Sequence, residues 1–511
     1  MESARCLLAT HVGSEMVKEG GMKVLGGPIS EDDSFFETFL TKQAEKYPEF
    51  LPRLLKVGAK AGLQLLRSTH LPIVTFLTRI VNPNRLKPIA GEFDRQVFDH
   101  YVKLTGDSGM REDNPTFRAP FRLGGLAFRS VERTCPIAYL ASLVNAVGVM
   151  GEMDTATRTV MEYFRQSPDQ LSIMPALVQS ALTSGMPNML VDAWQVAHTD
   201  IFADHPSELF GSSLHDFLTR IATGDLEAGH LQALLTADAE DAWAKEAEGK
   251  GTDEDRARTN ANTTRGSNSI FSFAPTSALI EMSDDAFSLA HTVRTGTHEM
   301  PEHMCVCGDH TTTFDHVISC KKLQARFIRH DIIVMLVCNM FKNAGLSART
   351  EIRVVNGTQK RMDVVVFDAS KTYWIDVSIV NPLAASYIHS EDAIKGREDV
   401  KRQRWSRHAA AVGATFLPFV VNAFGGLGSS AISILQMVAS KSLKAFPYRR
   451  TAPAGRWMQA HREASAQQVT AAIWQINAMN IAEALARSQG RFQGCDHFQG
   501  ARRLAEVSPL F

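Results

Sequence analysis

Three things are scarce in this 511-residue chain: net charge, cysteine and long uninterrupted hydrophobic sequence. Seven cysteines at this length do not make a disulfide framework, and three of them cluster between Cys305 and Cys320. That clustering points to a metal site in a reducing compartment. The uncharged run 416–440 has the length of a membrane helix. It contains Pro418 and the turn Gly425-Gly426-Leu427-Gly428, which fit a strand, a turn and a helix better than a span. The opening Met1-Glu2-Ser3-Ala4-Arg5 lacks the charged-then-apolar pattern of a secretory leader. The glycine turn also lacks the Gly-Lys-Ser/Thr ending of a nucleotide-binding loop, although amides at the helix it opens could hold a phosphate. These absences predict a soluble intracellular protein with no membrane partner.

The formal net charge of −1 conceals an asymmetry. From Lys321 onward Lys and Arg clearly outnumber Asp and Glu, and the first 320 residues carry the balancing acidic excess. A basic C-terminal third suits a polyanion better than an acidic partner. The hydrophobic content of 44% allows large cores, and the length suggests about two to four domains.

Helical spacing of apolar residues recurs over 34–45, 52–67, 69–81 and 88–104, and a Gly-Gly turn at 124–125 precedes a helix through 136–147. Residues 151–247 read as a helical connector, with helices at 155–165, 171–183, 189–197, 208–222 and 226–247 and Asp154, Ser167 and Ser207 as caps. Residues 248–269 are polar and rich in Gly, Asn and Thr, the composition of a flexible linker. Residues 446–511 read as a helix over 456–487 and a frayed tail containing Cys495 and His497.

Two places carry chemistry. Cys305, Cys307, His316 and Cys320 form a Cys-x-Cys…His-x₃-Cys set. Gly308 suits a tight turn, and His316 and Cys320 lie one helical turn apart, so both can face one ion. A closed set of four such ligands is a structural Zn²⁺ site. The one-residue gap between the first two cysteines is tight, and His303 and His310 are possible substitutes. The second place is a hairpin, 362–367 and 372–380, joined by Asp368-Ala369-Ser370-Lys371. If Phe367 pairs with Thr372, Asp363 faces Asp376, with Cβ atoms about 5 Å apart. Carboxylates that close repel one another unless a cation lies between them, so the pair is a candidate Mg²⁺ or Mn²⁺ site. Two solvated acids on an edge hairpin would give the same sequence pattern. Arg329-His330-Asp331 lies on an expected helix, 321–341. Glu351 begins an expected strand. The helix expected at 391–411 carries Lys395, Lys401, Arg404 and Arg407 near Trp405.

Two resemblances follow. The succession Leu25-Gly-Gly-Pro-Ile-Ser30, a helical block, Phe93-Asp-Arg-Gln-Val-Phe-Asp-His-Tyr-Val-Lys-Leu104 and Phe121-Arg-Leu-Gly-Gly-Leu-Ala-Phe-Arg-Ser130 resembles the thumb and connection of retroelement reverse transcriptases, from residue 20 to 150 of a helical region expected over 1–150. The aromatic-x-Asp-Asp signature of the polymerase palm occurs nowhere in the chain, so no polymerase activity is expected. Residues 295–345 (zinc motif and helix) and 346–445 together resemble the C-terminal restriction-like endonuclease of site-specific non-LTR retrotransposons, a PD-(D/E)XK fold behind a CCHC zinc motif. The resemblance implies an α+β chain. Its N-terminal half would be mostly helical, and its C-terminal half would hold an α/β nuclease core with a small mixed sheet. It makes Asp363 and Asp376, with Glu351, ligands of a catalytic Mg²⁺ or Mn²⁺. Met362 stands where the family has Pro, and Ser378 where restriction enzymes have Lys. The implied replacement is Lys401. Arg329, His330, Lys395, Arg404 and Arg407 would contact nucleic acid. DNA, and the element's RNA, are the implied partners in a nuclear setting.

Overall fold

The computed structural model describes residues 32–153 and 186–489, except 212, 273–281, 312, 355–359, 370 and 448–451, together with three short N-terminal strands. The helices expected at 155–165 and 171–183, the caps Asp154 and Ser167, and the tail beyond residue 489 lie outside the described residues. The chain divides into two compact units: residues 1–57, 65–101 and 128–249, and residues 58–64, 102–127 and 250–511. The division does not follow the boundary expected after residue 150, because 102–127 belongs to the second unit.

The first unit opens with an antiparallel ribbon, β1 (Val17–Lys18), β2 (Gly21–Val24) and β3 (Gly27–Ser30). Its principal helices are α1 (Asp33–Leu54), α2 (Pro83–Thr105, whose last residues enter the second unit), α3 (Val131–Met153), α4 (Met186–Ala197), α5 (Leu214–Thr223) and α6 (Leu231–Lys250). Leu140, Ala193, Phe202, Phe210, Phe217 and Leu235 meet in one core. The helix expected from 208 starts later. Ser207 spends its hydroxyl on the amides of Leu209 and Phe210 in a turn, at 3.1 and 3.0 Å, and Ser213 caps α5 by accepting from Asp216.

The fragments 93–104 and 121–130 are joined by a buried carboxylate. Asp94 accepts from the Ser130 hydroxyl at 2.6 Å and from the amides of Val131 and Glu132 at 3.0 and 3.2 Å, and so caps α3 from α2. The first amides of a helix have no partner within it, and a negative charge there is favoured by the helix dipole.

The stretch 248–269, expected to be a flexible linker, is for half its length helix α7 (Asp253–Thr263), closed by a Thr252–Asp255 capping box, and from Lys250 on it belongs to the second unit. Its polar residues are structural. Asn262 is 1% exposed and donates to the Arg294 carbonyl at 2.9 Å. Ser269 bonds Thr470 at 3.1 Å. Polar composition suggested solvation, but these side chains serve as caps and buried partners instead. The Gly-Gly turn also belongs here: a Cβ on Gly125 would sit 1.9 Å from the Ala119 carbonyl oxygen.

Next come α8 (Asp284–Thr295), the ribbon β4 (His303–Met304) and β5 (His310–Thr311), α9 (Phe314–Ser319) and α10 (Ala325–Asn343). A four-stranded sheet follows, in the order β6 (Ser347–Arg353), β7 (Arg361–Asp368), β8 (Lys371–Val380), β9 (Ala414–Asn422). The first three strands are antiparallel, and β9 runs parallel to β8. Parallel neighbours need a crossover, which α11 (Ala393–Ala410) provides. Helices α12 (Ser429–Ala445) and α13 (Ala454–Ser488) complete the unit. One sheet face packs Val364, Val366, Ile375 and Val377 against Val337 of α10, Ile434 of α12 and Ile473 of α13. The other packs Val365, Trp374 and Phe416 against Trp405 and Ala409 of α11. The chain is therefore α+β, with a mostly helical N-terminal half and a mixed sheet interleaved with helices in the C-terminal half. Among the described residues no helix is long and apolar enough to cross a membrane.

Candidate functional site

The turn between β4 and β5 and the short α9 bring four donors together. Gly308, at φ +95°, lets the chain reverse, and its amide donates to the Cys305 carbonyl at 2.9 Å. The Cys320 amide closes α9 on the His316 carbonyl at 2.8 Å. The sulfurs of Cys305 and Cys320 lie 3.6 Å apart, and Cys307 Sγ lies 3.3 Å from His316 Nε2. All four donor atoms fall within 4.8 Å of one another. A tetrahedral zinc with Zn–S of about 2.3 Å requires sulfurs about 3.8 Å apart, so the set could hold a structural zinc. His303 turns Nδ1 to the Pro301 carbonyl at 2.8 Å and is not part of the cluster. The His310 side chain lies outside the described residues.

The motif is fastened to the rest of the unit by polar bonds. Asn480 of α13 donates to the Val317 carbonyl at 3.0 Å, and Asn381, just past β8, bonds Ser319 Oγ at 2.7 Å and the Asp315 carboxylate. Arg329 belongs to this scaffold, contrary to the nucleic-acid role expected of it. It is 5% exposed and gives its guanidinium to the Ile318 carbonyl, at 3.1 Å, and to Asn477. A side chain so enclosed cannot reach a phosphate.

The hairpin has the expected register, with Phe367 opposite Thr372 and Val364 opposite Ile375. Pairing between β7 and β8 runs up to Val364. One residue further, the Asp363 carboxylate takes the Val377 amide at 2.6 Å in place of a ladder carbonyl. Asp376 is 7% exposed, and its carboxylate pairs with the Lys401 ammonium of α11. Burial raises the Asp376 carboxyl above the usual carboxylate range. The Lys401 charge opposes this, and the Asp363 charge adds to it. The repulsion expected between the two acids is thus present. His330 reaches the same place from α10, with Nε2 3.4 Å from Asp363 and Nδ1 3.3 Å from Asp331. Its bond to Asp363 lifts the imidazole to about 9, so it is a cation at neutral pH.

Glu351 lies within its strand, not at its start as expected. It lies on the edge strand β6 at φ +55°, where the β6–β7 ladder skips one pair without changing register, and that register sets it opposite Asp363. Its exposed carboxylate is 3.9 Å from Arg361, and that ion pair is its contact with charge. Lys395, Arg404 and Arg407 are exposed along α11, with Arg404 over the Trp405 ring. Arg397, absent from the residues singled out in the sequence, also faces the site and lies 3.4 Å from the Ser378 hydroxyl. The available signal was its spacing of one helical turn before Lys401.

The start of α12 is already occupied. Glu398 of α11, 1% exposed, accepts from the Ser430 amide and the Ser429 hydroxyl, each at 3.0 Å. An internal carboxylate therefore stands where a phosphate seemed possible. Comparison with known proteins finds neither a family model nor a curated protein that matches the chain.

Proposed function

We propose that residues 295–445 form a metal-dependent DNA endonuclease of the retroelement type, cutting one strand of target DNA, with the zinc motif bracing the catalytic sheet. The observation that carries this reading is the pairing of Lys401 with Asp376 beside Asp363. Two carboxylates from neighbouring strands and a lysine from the crossover helix are gathered at one point. Structural need alone does not explain this: buried like charges cost stability, and a buried ion pair contributes little to it.

Asp363 and Asp376 offer hard oxygen donors suited to Mg²⁺ or Mn²⁺. When bound, such an ion supplies Lewis acidity and a more acidic water. The chain's own residues do the rest. The Val377 amide fixes the orientation of the Asp363 carboxylate. Lys401 orients the attacking water or meets the charge that builds on the phosphate. Lys395, Arg404 and Arg407 follow the DNA backbone without reading bases. Nothing in this arrangement extends to polymerisation, which needs a palm signature the sequence lacks.

The test is nicking of supercoiled DNA in Mg²⁺ by the wild type, Asp376→Ala, and the double variant Asp376→Ala/Lys401→Met, which leaves no unpaired buried charge. Both variants should lose more than about 100-fold in rate. Nicking by the double variant at the wild-type rate discards the assignment. A second reading, nucleic-acid binding without cleavage, is favoured by one fact: both acids already hold cationic partners, His330 and Lys401. Salt-sensitive DNA binding with no metal-dependent nicking by the wild type would establish it.

A further inference from the structure

We infer that Arg397 and Ser378 form a subsite for a phosphodiester oxyanion, next to the two carboxylates. The inference rests on the endonuclease reading for its catalytic meaning, but not for its binding test. Its geometry is a matched pair of spacings. Asp376 and Ser378 are two apart on β8, so their side chains share one face of the sheet. Arg397 and Lys401 are four apart on α11, so theirs share one face of the helix. The two rungs are closed by Lys401 on Asp376 and by Arg397 Nε on the Ser378 hydroxyl at 3.4 Å.

The rungs differ in charge. Asp376 neutralises Lys401, and Glu398 and Asp399 neutralise the neighbouring Arg402, each at 3.0 Å. Arg397 has a hydroxyl partner and, among the described residues, no carboxylate within ion-pair distance. It is nonetheless half-buried, close enough for its charge to bear on Asp376. Hydrogen bonding to a hydroxyl fixes a guanidinium without cancelling its charge. Its remaining N–H groups form the planar fork that takes phosphate oxygens in pairs. Ser378, 6% exposed, is the neutral tether. The ligand class is the backbone phosphate of a nucleic acid, whatever its base sequence.

The experiment compares the full-length wild type with Arg397→Ala, Arg397→Lys and Ser378→Ala in two measurements. The first is duplex binding over a salt series without divalent metal. Loss of one phosphate contact should lower the slope of log affinity against log salt by about 1 in Arg397→Ala and leave it intact in Arg397→Lys. The second is Mg²⁺-dependent nicking. Arg397→Ala should fall about 100-fold in kcat/KM with its half-saturating Mg²⁺ unchanged, Arg397→Lys should recover part of that, and Ser378→Ala should lose about tenfold. An unchanged salt slope in Arg397→Ala overturns the subsite whether or not the protein cleaves. A shifted Mg²⁺ requirement also overturns it, since Arg397 would then be supporting Asp376. Nicking that survives removal of Asp376 overturns only the endonuclease reading.

Discussion

Asp94 in the first unit and Asp376 in the second are both buried carboxylates, 2% and 7% exposed, yet they are satisfied in different ways. Asp94 is held by two backbone amides and a serine hydroxyl at the start of α3. Those partners are fixed by the helix and cannot be exchanged without unravelling it. Asp376 is held by a lysine side chain, faces a second carboxylate, and is pushed by burial towards protonation. Its partners are side chains that can move. A buried acid satisfied by amides is finished as structure, whereas one satisfied by side-chain charge can still exchange partners with a ligand. Asp94 is of the first kind and Asp376 of the second.

The sharpest way to break this contrast is through the metal. Cys320→Ser, or a chelator, should remove one bound zinc per chain by atomic absorption. It should destabilise the second unit by several kcal/mol, since apparent zinc-binding energies of about 10–16 kcal/mol become folding energy in small zinc domains. No zinc in the purified wild type would refute the donor set. Next in size is Asp94→Ala. It orphans the amides of Val131 and Glu132, and should cost about 3 kcal/mol in chemical denaturation of the first unit while leaving DNA binding unchanged. A loss of DNA binding in folded Asp94→Ala would erase the distinction between the two acids.

The smallest effect is a pH dependence of the first unit. His70 is fully buried and stacked on Phe93, with ring centroids 5.0 Å apart, and burial pushes its imidazole down to about 4. Between that value and the ordinary 6.5 the unfolded chain binds a proton that the folded chain refuses, so stability falls as pH falls through this window. Between pH 6.5 and 5 the loss should be about 2 kcal/mol, and His70→Phe should flatten it. An unchanged slope in that variant would assign the effect to other groups.

The zinc ligands and the facing aspartates were legible because each rests on local geometry. A tight turn at Gly308 and one helical turn from His316 to Cys320 bring four donors together with no help from distant sequence. The pairing of Phe367 with Thr372 carries Asp363 to Asp376 by counting along a hairpin. The helices over the C-terminal half, such as α12 and α13, were visible in their apolar spacing and differ from expectation by a few residues at their ends. Arg329 was misjudged because its neighbours in sequence, Arg326 and His330, face outward or into the site, and only packing against α13 shows that it is enclosed. The stretch 248–269 was misjudged because Asn262 and Ser269 are polar, and polarity does not reveal whether a distant residue stands ready to bond them. The positive φ of Glu351, where the ladder skips one pair opposite Asp363, had no local signal in the sequence.

Sequence alone determined the hairpin register and the donor set of the metal motif, since the backbone periods of two and 3.6 residues act over a few neighbours at a time. Tertiary structure decided which charges meet. Lys401 could as well have pointed to solvent as Lys395 does, and Glu398 rather than a phosphate fills the start of α12. Those outcomes depend on how α11 rotates over the sheet. That rotation is set by the burial of Trp405 and Ala409 against Trp374 and Phe416, residues far from the charges they position.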